Sequence, residues 1–148
     1  MRSRTRLALL LPVWVIGAGL LACGDPLEPE FRRVLATIRL PDQPVQIDMP
    51  DTVQANAPFV LSVQTYGNAC REAGDTEVSG GSGSPLLVRP YDRALRVSAC
   101  QPVLRVFDHS VQLTIAQTGT NTIEVRGIAG QLDGTSDTIS VFRQVFVE

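Results

Sequence analysis

Residues 111–126 read VQLTIAQTGTNTIEVR, and this stretch predicts the fold. Val111, Leu113 and Ile115 alternate with polar residues, and residues 122–126 repeat the alternation after a connection that contains a glycine. A period of two places the apolar side chains on one face of a β-strand and the polar ones on the other. The stretch therefore predicts two strands joined by a short connection.

The same alternation recurs along the rest of the chain. Further strand candidates are residues 33–40, 45–47, 59–66, 76–78, 86–91, 95–99 and 138–147. Short strands separated by glycine, proline and asparagine are typical of all-β domains. The pattern predicts an antiparallel β-sandwich of about seven to eight strands over residues 32–148, with a small open barrel as the alternative.

The strand–turn–strand pattern at residues 113–125 resembles the ending of bacterial immunoglobulin-like domains. The resemblance implies an immunoglobulin-like sandwich, without indicating a subfamily. The sequence departs from antibody-type domains because its only tryptophan, Trp14, lies near the N-terminus and not in the predicted domain.

The N-terminus has the composition of an export signal. Arg2, Arg4 and Arg6 precede an apolar stretch of 15 residues, 7–21. A membrane-spanning helix needs about 20 apolar residues, so this stretch is short for a span and suits the apolar region of a signal peptide.

The apolar stretch ends in Leu20-Leu21-Ala22-Cys23, which resembles the lipobox of bacterial lipoproteins. The resemblance implies that residues 1–22 are a signal peptide, that cleavage falls between Ala22 and Cys23, and that Cys23 carries lipid. The protein would then be anchored to a membrane through Cys23. An ordinary secretory signal and an uncleaved short membrane helix are the alternatives.

Residues 23–31 combine two prolines with three acidic residues and predict a flexible tether. In Gram-negative lipoproteins an aspartate directly after the lipidated cysteine marks retention in the inner membrane. Gly24 stands at that position, so the resemblance implies the outer membrane of a bacterial cell envelope.

The charge balance bears on the class of partner. Loss of the three signal-peptide arginines leaves 10 basic against 15 acidic residues, a formal charge of about −5. A nucleic-acid-binding surface needs clustered positive charge, so we predict no nucleic-acid partner.

Two cysteines remain once Cys23 is assigned to lipid. Cys70 and Cys100 form an even pair in an exported protein, where thiols are usually oxidised, and we predict a disulfide between them. A reactive or metal-binding pair is the alternative.

His109 is the only histidine and therefore the first candidate for catalysis. It stands between Asp108 and Ser110, but neighbouring residues of a strand point to opposite faces and cannot form a catalytic relay. Since His109 shares the phase of Val111 and Leu113, we predict a buried or rim histidine and no catalytic residue.

Arg89, Tyr91 and Arg93 are the candidate ligand contacts, because arginine and tyrosine near a strand end can bind an anion or a sugar. Asp92 lies among them, which favours a solvated strand face or loop over an anion site. The acidic residues Glu72, Asp75, Glu77, Asp133 and Asp137 do not have the spacing of a calcium loop, and we predict no metal and no cofactor.

Together these features predict a membrane-anchored envelope lipoprotein with a non-enzymatic interaction or structural domain and a protein partner in the envelope. The first alternative is a ligand- or glycan-binding module. A small hydrolase or metal-dependent enzyme is the second.

Overall fold

The computed structural model describes residues 30–81, 84–97, 99–130 and 136–148. Within these ranges the chain is all-β and has no helix, which confirms the predicted fold class. The ten strands are β1 (Phe31–Leu35), β2 (Thr37–Arg39), β3 (Ile47–Asp48), β4 (Thr52–Val53), β5 (Pro58–Gly67), β6 (Arg71–Ser79), β7 (Leu86–Leu95), β8 (Arg105–Thr114), β9 (Gly119–Gly130) and β10 (Ser136–Val147).

The N-terminal predictions fall outside the described residues, except for the end of the tether. Residues 1–22 and 23–29 are not among the described ranges. β1 begins at Phe31, the residue at which we placed the tether's end.

Long antiparallel pairs dominate the sheet. β5 pairs with β8 along its whole length, from Pro58 opposite Thr114 to Gly67 opposite Arg105. β6 with β7 and β9 with β10 pair as hairpins. β1 pairs with the second half of β7, and the short strands β2 and β3 lie beside β5.

The sheet is mixed, which corrects our prediction of a purely antiparallel arrangement. β7 and β2 each run parallel to β9, and β4 runs parallel to β10. β7 and β9 are parallel because β8, which lies beside β5, separates them in the chain and acts as the crossover that parallel strands require. The described strands do not close into a barrel.

The chain changes neighbours at Ala36, between β1 and β2. The N–H of Ala36 donates to the carbonyl of Pro90 on β7 at 3.0 Å, and its carbonyl accepts from the N–H of Ile128 on β9 at 2.9 Å. One candidate strand, residues 33–40, is therefore two. With the short β3 and β4, this division gives more strands than the seven or eight that we predicted.

β6 and β7 differ from the sequence prediction in length. The two candidates at residues 86–91 and 95–99 are replaced by one strand, β7, and the short candidate at residues 76–78 is the end of the longer β6. β6 contains an irregularity at Gly74, where a Cβ would lie 2.5 Å from the carbonyl oxygen of Tyr91. Only glycine fits there, because any larger residue would push the two strands apart.

Residues from seven strands form one apolar core. Its members come from β2, β4, β5, β7, β8, β9, β10 and the residue after β8, and they are Ile38, Val53, Phe59, Leu61, Val63, Val88, Leu113, Ile115, Ile123, Val125, Val145 and Val147. The stretch that predicted the fold supplies four of them, Leu113, Ile115, Ile123 and Val125. Burial of these side chains is the main stabilising contribution.

The disulfide between Cys70 and Cys100 is present, as predicted. The two Cα atoms lie 5.9 Å apart and are separated by 30 residues in sequence. The bridge joins the turn between β5 and β6 to the segment between β7 and β8. The N–H of Leu95, at the end of β7, also donates to the carbonyl of Cys70 at 2.9 Å.

Candidate functional site

His109 and Asp92 form a buried hydrogen-bonded pair. Nε2 of His109 lies 3.0 Å from Oδ1 of Asp92, and the two side chains are 1% and 0% exposed. His109 stands opposite Val63 in the β5–β8 register, and Asp92 follows Val88 and Pro90 on the inner side of β7. Because a carboxylate only accepts hydrogen bonds, Nε2 of His109 donates this one.

Arg71 completes the cluster from the surface. Its Nη1 lies 3.4 Å from Oδ2 of Asp92, and its side chain is 30% exposed. Gly67 leaves room for this approach, because a Cβ there would lie 3.1 Å from Cβ and Cδ of Arg71. Both oxygens of Asp92 are thus engaged, which offsets the large cost of burying a charge.

Two buried polar atoms near this cluster lack a partner among the described residues. They are Nδ1 of His109 and Oγ1 of Thr65, which lie on adjacent strands and on the same inner face. The cluster can hold charge inside the domain, but His109 does not reach the surface.

The structure confirms that Asp108, His109 and Ser110 form no relay. Asp108 and Ser110 are exposed on the face opposite to the buried His109. Oγ of Ser110 instead lies 3.0 Å from Oγ of Ser62 on β5. Sequence reasoning missed Asp92 as the partner of His109; the available signal was its spacing of two residues from Pro90 and four from Val88, which places the three on one face of a strand.

Of the predicted ligand contacts, Arg89 and Tyr91 are occupied by neighbours within the chain. Nη2 of Arg89 contacts Oε1 of Glu77 on β6. The guanidinium of Arg33 lies over the ring of Tyr91, 3.3 Å from its centroid, in a cation–π contact. The outer face of β7 is therefore covered by side chains of β1 and β6.

Arg93 has partners of the same kind. Its guanidinium lies 4.3 Å from the centroid of the Phe31 ring, and its Nη1 is 3.8 Å from Oε2 of Glu72. Arg89, Tyr91 and Arg93 thus share one face of β7, and that face is a network of ion pairs and aromatic contacts.

The acidic residues of β6 belong to this network. Arg33 contacts Asp75 at 2.7 Å and Glu77 at 3.1 Å. The hydrogen bond from Arg33 lowers the pKa of the Asp75 carboxyl, and that same contact raises the pKa of Arg33. Among the residues that the structure describes, no group of three His, Cys, Asp or Glu side chains is placed to hold a metal ion.

β10 presents an uncovered edge. It pairs with β9 throughout, but on its other side only Phe146 and Val147 pair, with β4. Residues 136–145 therefore have one free side as far as the described strands show. Phe142 and Phe146 on its outer face are 58% and 49% exposed.

A small polar cluster lies beside this edge on the outer face of β9 and β10. Oγ of Ser140 donates to Oε1 of Glu124 at 2.6 Å, and Nε of Arg126 donates to the same oxygen at 3.0 Å. The hydrogen bond from Ser140, followed by that from Arg126, lowers the pKa of Glu124. The carboxylate is thus held in its charged form by its neighbours on the sheet.

A groove of about 480 Å³ lies at the opposite end of the domain from the disulfide, beside the end of β8. Leu86, Thr114, Ile115 and Asn121 are among its lining residues. The amide of Asn121 is occupied by the carbonyls of residues 117 and 119, at 2.8 and 3.0 Å. The side-chain nitrogen of Asn121 is therefore already engaged within the chain.

The predicted lipidation and cleavage residues, Cys23 and Ala22, lie outside the described residues. Within the described ranges, no helix has the length and apolar character that crossing a membrane requires. A comparison with protein-family models, curated proteins and solved structures found no match to the chain.

Proposed function

We propose that the chain is a lipid-anchored lipoprotein of the bacterial cell envelope, with an immunoglobulin-like sandwich that works as a non-enzymatic interaction module. The lipobox-like Leu20–Cys23 and the charged and apolar segments before it support the anchor and the envelope location. The outer membrane is the membrane that Gly24 favours.

The uncovered edge of β10 is the observation that supports an interaction module. An exposed edge strand presents free N–H and C=O groups that can pair with another chain. Residues 136–145 contain no proline and no bulge, and the only charged residues among them are Asp137 and Arg143. Such a regular edge is an aggregation hazard unless another strand covers it.

The other strands with a free side are less suited to this role. β6 is interrupted at Gly74 and lined with charges, which are ordinary means of blocking edge pairing. β8 lies against β6, and β3 has only two residues. β10 is therefore the best candidate for strand addition.

The partner strand that fits β10 is β10 of a second copy. In an antiparallel pair centred on Ser140, Asp137 lies opposite Arg143 of the other copy, and Ile139 lies opposite Val141. Two salt bridges form by symmetry, and the half-buried Ile139 and Val141 extend the core across the junction. The chain's own pattern thus supplies the complementarity that an isologous contact needs.

Site-specific cross-linking tests this proposal. In membranes that contain the acylated protein, a Ser140→Cys variant should form a disulfide-linked dimer on mild oxidation, because Ser140 lies on the two-fold axis. Ser110→Cys, at an exposed position on β8, is the matched control and should stay monomeric. Equal cross-linking of the two variants would contradict pairing through β10.

A charge exchange makes the test specific for the register. Arg143→Asp places two carboxylates opposite each other and should reduce dimer formation, whereas Arg143→Asp combined with Asp137→Arg should restore it. Both residues are exposed, so the variants should fold normally. Failure of the double variant to restore the dimer would refute the proposed register.

A further inference from the structure

One end of the domain carries an unusual share of exposed apolar side chains. Among the described residues, eight large hydrophobic side chains are exposed, and four of them lie in or beside the segment between β7 and β8. These are Val97, Val103, Leu104 and Val106, with exposed fractions of 54%, 54%, 57% and 50%. We call these four residues the apolar tip.

The chain enters the domain at the same end. The N–H of Arg96 donates to the carbonyl of Glu30 at 2.9 Å, and the two side chains form an ion pair at 2.8 Å. Phe31 then pairs with Leu95, directly before the apolar tip. Glu30, the first described residue, is thus fixed beside Arg96, directly before Val97.

The apolar tip is held in place by the disulfide. Cys100 lies between Val97 and Val103 and is bonded to Cys70, at the start of β6. Val106 belongs to β8 and stands opposite Tyr66 in the register with β5. These constraints keep the apolar side chains at the surface without the entropy cost of ordering a free loop on contact.

The length of the tether decides which end faces the membrane. Glu30 is the seventh residue after Cys23, and a fully extended chain of seven residue steps spans at most about 25 Å. β7 has ten residues, and a strand of that length extends over about 33 Å. The tether is shorter than the domain, so a lipid on Cys23 excludes the inverted orientation, in which the far end faces the bilayer and the apolar tip points away from it.

We infer that the apolar tip rests in the interfacial region of the lipid bilayer to which the protein is anchored. This inference rests on the lipid anchor of the proposed function and adds a second contact with the same membrane. Apolar side chains that enter the headgroup boundary strengthen binding in proportion to the area that they bury. The charges at this end do not oppose contact, because Arg96 is paired with Glu30 and Arg93 with Glu72.

Tryptophan fluorescence tests the inference, because the mature chain after residue 22 contains no tryptophan. Leu104→Trp places a single probe in the apolar tip. Val60→Trp is the matched control, since Val60 is 55% exposed and lies near the start of β5, at the opposite end of the domain. Both acylated proteins are reconstituted into vesicles of phosphatidylethanolamine and phosphatidylglycerol with and without brominated acyl chains.

We expect brominated lipid to quench Leu104→Trp several times more strongly than Val60→Trp, with a blue-shifted emission only for Leu104→Trp. Equal quenching of the two probes would overturn the inference. A second measurement uses Val97→Trp as the probe. Brominated lipid should quench this probe when the rest of the apolar tip is unchanged, and most of the quenching should be lost when Val103→Gln and Leu104→Gln are added.

Mass spectrometry of the same samples separates the two levels of the proposal. A protein that is acylated at Cys23 but shows equal quenching overturns the membrane contact and leaves the anchor standing. A protein without lipid on Cys23 contradicts the anchor, and with it the inference.

Discussion

Removal of the Cys70–Cys100 disulfide should cost this domain a large part of its stability. The bridge closes a loop of 30 residues, which in the chain-entropy model stabilises the folded state by about 3.6 kcal/mol at 25 °C. Domains of this kind have a total unfolding free energy of ~5–15 kcal/mol. A Cys70→Ala/Cys100→Ala variant should therefore still fold, but with a much smaller margin.

Urea unfolding followed by far-UV circular dichroism measures this effect. With a denaturant slope of roughly 1.5–2 kcal/mol per molar urea, the midpoint should fall by about 2 M. The reduced wild-type protein should unfold near the same urea concentration as the double variant, which controls for the loss of the cysteine side chains. A loss below about 1 kcal/mol would refute the loop-closure reasoning and would indicate that the segments beside Cys70 and Cys100 are held by their other contacts.

Three further predictions concern the core, the buried cluster and the charged face. Asp92→Ala should destabilise the domain by about 3–5 kcal/mol, because it leaves His109 buried without its partner. Thermal unfolding measures this loss, and a change near zero would contradict the structural role of the pair. Leu61→Ala should cost about 2–5 kcal/mol by opening a cavity beneath a side chain that is 0% exposed, and a variant as stable as wild type would show that this part of the core collapses without cost. Because the pKa of Asp75 is lowered, its pairing with Arg33 stabilises the fold above the ordinary aspartate pKa, and this stabilisation is lost as the pH falls through the lowered value. When the free energy of unfolding is measured between pH 2 and 6, Asp75→Asn should therefore reduce the loss of stability at acid pH. An unchanged acid dependence would show that the exposed pair contributes nothing.

The alternation of apolar residues predicted the long central strands. A strand that buries one face needs apolar side chains at every second position, so the pattern follows directly from the burial. In β5 the alternate residues Phe59, Leu61 and Val63 are buried. In β9 the alternate core residues are buried in the same way. A hydrophobic pattern of this kind is a local property, so it can be recognised without knowledge of the rest of the chain.

Pairing partners were not predictable in the same way. The parallel contact of β7 with β9 depends on where β8 crosses, and the division of residues 33–40 depends on hydrogen bonds from Ala36 to two distant strands. β7 was divided wrongly because Pro90 and Asp92 interrupt its apolar pattern, although both are buried.

The pair of Asp92 and His109 was missed for a related reason. Asp92 lies between arginines, and a charged residue in a charged stretch suggests a solvated face. Its burial is acceptable only because His109 and Arg71, from two other strands, meet it in space. Such compensation is a property of the tertiary structure and cannot be recognised from the local sequence pattern.

The position of β1 determines how the domain bears mechanical load. A pull on Glu30 along the axis of β1 loads its five residues, which pair antiparallel with residues 91–95 of β7. In that direction the hydrogen bonds of the pair share the load and must break together, whereas a pull at right angles would break them one after another. A force along the axis of β1 therefore meets the most resistant geometry that the strand can offer.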